Sequence, residues 1–251
     1  MSAHPSSDPP RRGFFKQLAV ASAALPVGAS LALPGSAAAA AGASALPPPP
    51  AAAPDVVQGY QSFSATESAF VEALVNVMCP ADRFTPNGVD CGLALFIDRQ
   101  LAGSFGQGAR RDLRGPFAAA KPQFGLQLPL TPEQHFKAGV AAVNALLASR
   151  QRPPLDQLEA PEIDRLLHEL AGPGAPVVDE IDLGLWFNAL VYPLFTQACF
   201  SDPLYGGNAG KVFWKLVGYP GLPATNAVNI VQFRNKPFPG SQSPMSIVDF
   251  S

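Results

Sequence analysis

Histidine, cysteine and tryptophan are scarce in this chain: three, three and two among 251 residues. Charge is scarce as well, since Asp, Glu, Lys and Arg together make up only 14%. Each shortage excludes something. His4 lies in the leading segment, and His135 and His168 stand alone on two different predicted helices, so no His/Cys cluster has metal-ligand spacing. A lone histidine on a helix is ordinarily a surface or capping residue. No C-x-x-C-H sequence is present, which excludes covalently attached c-type haem. No G-x-G-x-x-G follows a strand and there is no G-x-S-x-G elbow. The run Gly103, Gly106, Gly108 follows a predicted helix and reads as a loop. Asp98 beside Arg99 reads as a surface or interhelical ion pair rather than an acid/base dyad. Net charge is −2. Asp8, Arg11, Arg12 and Lys16 give the first 45 residues a local +2, so the remainder carries −4. A mildly acidic body has no electrostatic footprint for nucleic acid.

What is plentiful is alanine, proline and glycine. Arg11-Arg12-Gly13-Phe14-Phe15-Lys16 precedes a weakly apolar stretch, Leu18 to Leu33, and an Ala-rich region, Ala37 to Ala41. This is the three-part plan of an export signal with an A-x-A-type cleavage site. Arg11, Arg12, Phe14 and Lys16 resemble the twin-arginine signal, a route that carries folded cargo. A membrane anchor is the other reading. Against it, the stretch is short and broken by Pro26 and Pro34, and lacks the 18 or more apolar residues of a span. Residues 42–59 hold Pro47 to Pro50 among alanines and form a linker of polyproline character. Without the signal, roughly 205 to 210 residues remain, enough for one domain with its own core.

The body, residues 60–223, reads as all-α: one irregular helical domain with long Gly/Pro-rich loops, set off by the 28 prolines and 22 glycines of the chain. Ser64 and Glu67 have capping-box spacing, and Phe70, Leu74 and Val77 recur at helical intervals, which predicts a helix over 65–78. Asp90 is a candidate cap for a helix from Leu93 to Leu101. Thr131-Pro132-Glu133-Gln134 combines an N-cap, a Pro at N1 and a Gln at N3, starting a helix that runs to about Ser149. Pro161 opens a short helix with Ile163, Leu166, Leu167 and Leu170 on one face. Asp182 caps the most regular helix. There Leu183, Trp186, Phe187, Leu190, Val191, Leu194 and Phe195 share a stripe, and Pro193 should kink it. A last helix is expected over Lys211 to Val217, and residues 224–251 read as an extended tail.

Cys79, Cys91 and Cys199 are an odd number for an exported protein. Cys79 and Cys91 bracket a loop between two predicted helices, and a disulfide closing it would add roughly 3 kcal/mol in the chain-entropy model. Cys199 is then left over, either as a buried small apolar residue or as a bridge to another subunit.

Four patches, in order, carry a resemblance. They are Gly92 to Gly103, Gly125 to Pro132, Phe200-Ser201-Asp202-Pro203-Leu204-Tyr205-Gly206-Gly207-Asn208, and Trp214-Lys215-Leu216-Val217-Gly218-Tyr219-Pro220-Gly221. Together they resemble the gluconate 2-dehydrogenase subunit 3 family over about residues 60–222. The resemblance implies a non-catalytic small subunit of a periplasmic dehydrogenase complex that oxidises gluconate, glucose, sorbitol or related compounds at the inner membrane. It implies no cofactor in this chain, FAD in a large flavoprotein partner and haem c in a multihaem cytochrome subunit. It also implies that the small subunit escorts the signal-less flavoprotein to the twin-arginine translocase. Asp202, Pro203, Tyr205, Gly206, Gly207, Asn208, Trp214, Lys215 and Tyr219 are either a fold-capping loop or a partner-docking surface. Two other readings compete. One is a free-standing enzyme, for which Asp98, Arg99, Asp202, Tyr205 and Lys215 would have to gather at one pocket. The other is a structural or ligand-binding module that never meets a flavoprotein.

Overall fold

The computed structural model describes residues 59–109, 111, 113–117, 127–222 and 227–250. The segment expected from the sequence to be an export signal, with Arg11, Arg12, Phe14 and Lys16, and the expected linker up to residue 58 lie outside them.

Helix α1, Ala65–Met78, starts where the sequence predicts, because two reciprocal hydrogen bonds close its first turn. The Ser64 backbone N–H donates to Glu67 Oε2 at 2.8 Å and the Glu67 N–H donates to Ser64 Oγ at 3.4 Å. Helix α3, Pro132–Ser149, begins in the same way with Thr131 and Gln134. Helix α4, Ala160–Ala171, buries Ile163, Leu166, Leu167 and Leu170, the four residues of its predicted stripe. Helix α2 is Leu93–Ala102, but Asp90 does not cap it. The Asp90 carboxylate accepts from the Asn87 side-chain amide instead, and the chain enters α2 through Gly92 at φ 75°.

The long apolar helix is present as three joined pieces: α5, Leu183–Trp186; a π turn, Phe187–Val191; and α6, Tyr192–Phe200. Asp182 caps it, accepting from the Leu185 N–H at 2.8 Å. Pro193 has no N–H and its ring crowds the preceding turn. The helix meets this by widening just before it, with the Tyr192 N–H reaching back five residues to the Phe187 carbonyl. The expected kink is therefore a π bulge. By length and composition Leu183–Phe200 could cross a membrane, yet Leu183, Trp186, Leu190, Val191, Leu194 and Ala198 lie in the protein core.

Around this helix pack α1, α2, α3 and α4. Trp186 is fully buried between Phe70 and Phe136, with ring centroids 6.5 and 6.0 Å away, and its Nε1–H donates to the Phe136 carbonyl at 3.2 Å. Asp98 is also fully buried. It is not half of an ion pair with Arg99. Its carboxylate accepts the backbone N–H groups of Gln61, Ser62 and Phe63 at 2.7, 2.8 and 2.9 Å, fastening the chain ahead of α1 onto α2. A two-residue hairpin, β1 Val177–Val178 and β2 Ile181–Asp182, precedes α5. Asp179 and Glu180 turn it at positive φ, 47° and 66°, a turn usually written with Asn and Gly. His135 is buried at 1% exposure, not a surface or capping residue.

Beyond the predicted final helix, here α7, Val212–Val217, the tail is not extended throughout. It holds a six-residue helix α8, Ala227–Gln232, and two 3-10 turns, Pro239–Gln242 and Ile247–Phe250.

Candidate partner-binding surface

Helix α6 stops at Phe200 because Ser201 turns to extended backbone at ψ 160°. Asp202 then organises the exit. One carboxylate oxygen accepts from the Leu204 N–H at 3.0 Å, the side-chain turn that favours Asp before Pro. The other accepts from the Ile247 N–H of the tail at 2.9 Å. Pro203–Tyr205 makes one 3-10 turn, and Gly206 leaves it at φ 100°. Gly206 is needed for backbone freedom and Gly207 for space. A β-carbon on Gly207 would lie 2.4 Å from the Ala198 carbonyl oxygen.

Asn208 is fully buried in the left-handed region, at φ 49°. Its amide nitrogen donates to the Ser201 carbonyl and its oxygen accepts from the Phe213 N–H, both at 3.0 Å. The next N–H, of Ala209, donates to the Cys91 carbonyl. One side chain thus ties the end of α6 to the start of α7, and its neighbour ties both to the entry of α2. Trp214 is buried, donates from Nε1 to the Phe200 carbonyl at 2.9 Å and takes Tyr219 edge-on at 5.2 Å.

The block therefore has two faces. Gly207, Asn208 and Trp214 are interior and act as the fold-capping loop. Leu204, Tyr205, Leu216 and Tyr219 stand outward, between 38% and 52% exposed, and Lys215 is exposed beside them. Leu204, Leu216, Val217 and Phe200 stand in the patches that carry the resemblance but not among the partner-contact residues expected from the sequence. The signal they carry is negative: they are apolar residues in a Gly/Pro-rich segment that no predicted helical stripe uses. Phe200, Tyr205 and Phe96 line a shallow cleft of about 410 Å³ with Gln100, Gln197 and Asp202 at its polar edge.

This stretch closes the part of the chain that matches a known family, described as gluconate 2-dehydrogenase subunit 3, over residues 65–221. The chain belongs to that family. No curated protein and no solved structure matches it. The family match takes in α1 to α7 and ends one residue before Leu222, whose N–H donates to the Met245 carbonyl of the tail. The subunit 3 family name implies a multi-subunit dehydrogenase complex.

The three cysteines of this subunit 3 chain are free thiols, and all are buried. Cys79 and Cys91 both donate toward the Pro86 carbonyl, at 3.7 and 3.5 Å. Burial pushes the Cys91 thiol up to about 11 and the Cys199 thiol up to about 12, with the neighbouring sulfurs adding to both shifts. Cys199 is 5% exposed. Its side chain belongs to the hydrophobic core. Among the described residues no group of His, Cys, Asp or Glu could hold a metal ion.

Proposed function

We propose that the chain is a non-catalytic small subunit of a periplasmic, flavin-dependent dehydrogenase acting on gluconate, a sugar or a polyol. It escorts the catalytic flavoprotein through twin-arginine export and then holds it in the complex at the inner membrane, where a multihaem cytochrome c takes the electrons. The observation that carries this reading is the outward rim of Leu204, Tyr205, Leu216 and Tyr219, set on a block made rigid by Asn208 and Trp214 within a chain of the subunit 3 family. Exposed aromatics on a preorganised backbone cost little entropy to immobilise, which is what a docking site requires. The Arg11-Arg12 pair supports the export step.

The enzyme reading asks Asp98, Arg99, Asp202, Tyr205 and Lys215 to share a pocket. Asp202 and Tyr205 line the 410 Å³ cleft, but Asp98 holds three backbone donors inside the core and Lys215 lies outside the cleft. In an oxidising compartment Cys79 and Cys91, which share the Pro86 carbonyl as acceptor, close a disulfide. They give two electrons and two protons to an incoming protein disulfide, which is reduced to its dithiol.

The test is export and co-purification. A tagged chain recovered from periplasm should bring a flavoprotein with it, identified by flavin absorbance and peptide mass. Replacing Arg11 and Arg12 by Lys should strand both proteins in the cytoplasm. A flavoprotein still active in the periplasm of that variant overturns the escort role.

A further inference from the structure

A groove of about 480 Å³ opens where the last turns of α1 and α4 meet the π turn of the central helix. It shares no residue with the cleft at Phe96 and Tyr205, and its volume falls in the roughly 300–1,000 Å³ range of small-molecule sites. Val77, Met78, Leu167 and Ala171 give it apolar walls. Phe187, Tyr192 and Phe195 add three aromatic rings, and Tyr192 stands 53% exposed. The π turn shapes one side directly. Phe187 and Asn188 belong to it, and the Tyr192 N–H closes it on the Phe187 carbonyl. Such bulges are frequent at functional sites.

The polar groups of the groove select the sign of its ligand. Asp164 brings a carboxylate, and none of the lining residues is Lys or Arg. Among the described residues its one ion-pair contact is His168 Nε2, at 3.8 Å on the same helix. Asn188 uses its amide nitrogen to donate to the Gly184 and Ala171 carbonyls, at 3.0 and 3.3 Å. Its oxygen, an acceptor, is what remains for a ligand. Two helix C-termini also end here, and the helix dipole makes each of them negative. Helix α1 has no basic residue in its last turn, and α4 has only His168. The aromatic rings add the same preference, because the face of a π system attracts cations.

We propose that this groove binds a small organic cation, an ammonium group carrying an apolar body. The ammonium lies against Asp164 and the aromatic rings and donates to the Asn188 oxygen. The apolar body covers Val77, Met78 and Leu167. An anion is the poor match, because it would meet the carboxylate and both negative helix ends. A neutral apolar molecule would leave Asp164 without a counter-charge. The site is separate from the rim at Tyr205, and its binding does not depend on the chain's place in a complex.

The experiment titrates the purified full chain with 2-phenylethylamine in a calorimeter at about pH 7.5, where an alkylamine is protonated. Saturable one-to-one binding is expected. 2-Phenylethanol, of the same shape without the charge, should bind about tenfold more weakly. Asp164→Asn and Tyr192→Ala should each weaken amine binding about fivefold or more, with the helical spectrum of wild type. Asp179→Asn removes an exposed carboxylate from the hairpin, outside the groove, and should bind as wild type. Equal binding of the alcohol and the amine overturns the proposal, as does the absence of saturable amine binding. So does unchanged affinity in both Asp164→Asn and Tyr192→Ala. N-acetylarginine amide, which carries the cation of a protein side chain without the apolar ring, should bind more weakly than the amine. Tighter binding of that probe would make the groove a seat for a basic peptide segment and overturn the small-molecule assignment.

Discussion

A β-carbon on Gly139 would lie 2.0 Å from the Nε1 atom of Trp186. Helix α3 therefore approaches the central tryptophan as closely as it does only because position 139 has no side chain. Any substitution must push the indole out of line with the Phe136 carbonyl that it donates to. Gly139→Ala should cost roughly 1–3 kcal/mol as an overpacked core, although alanine is the better helix former. Trp186→Ala should cost roughly 3–5 kcal/mol. Urea unfolding of both variants checks the order, and a stabilised Gly139→Ala would refute the packing argument.

Asp98 holds three backbone N–H groups that α2 itself does not supply. Asp98→Ala leaves them without an acceptor, and each partly buried orphan costs roughly 1–3 kcal/mol. A total loss of about 3 kcal/mol or more is expected, with faster amide exchange at residues 61–63. Asp98→Asn keeps one acceptor oxygen and should lose less. Equal stability of Asp98→Ala and wild type would show that water replaces the carboxylate.

His135 is buried on α3 with its Nδ1 lacking any partner. Burial lowers its pKa below the ordinary value, the Arg111 charge lowers it further and Asp182 acts the other way. The unfolded chain then binds a proton near pH 6.5 that the folded chain refuses. Stability contributed by neutral His135 is complete above about pH 6.5 and falls as pH drops toward the folded value, by at most about 1.4 kcal/mol per pH unit. Denaturant midpoints between pH 7.5 and 5 should show this slope, and His135→Phe should flatten it.

The thiols give a chemical readout. With Cys91 near 11 and Cys199 near 12, less than about a thousandth of either is thiolate at pH 8, and both are shielded. A disulfide reagent should label almost none of the three in the folded, reduced chain and all three after unfolding. Chain recovered from periplasm should yield one thiol on unfolding under the proposed Cys79–Cys91 bridge. Three thiols from that source would rule the bridge out.

What the sequence determined by itself was local. Both capping boxes, the Pro132 start, the Asp182 cap and the apolar stripe of α4 hold as read, because each joins residues within a few positions and needs no other part of the chain. The family was also legible, since the four patches keep their order along residues 65–221. Only the tertiary structure decided which polar groups would be buried. Asp98 was misread beside Arg99 because its partners lie 35 to 37 positions earlier. His135 sits on an ordinary-looking helix, and its burial depends on what packs above it. The Gly206 to Trp214 block divides into interior and outward residues only once Cys91, Phe200 and the tail surround it. Local hydrogen bonds recur at fixed spacing and can be read from the residues. Burial is a property of what lies opposite, and chain spacing does not carry it.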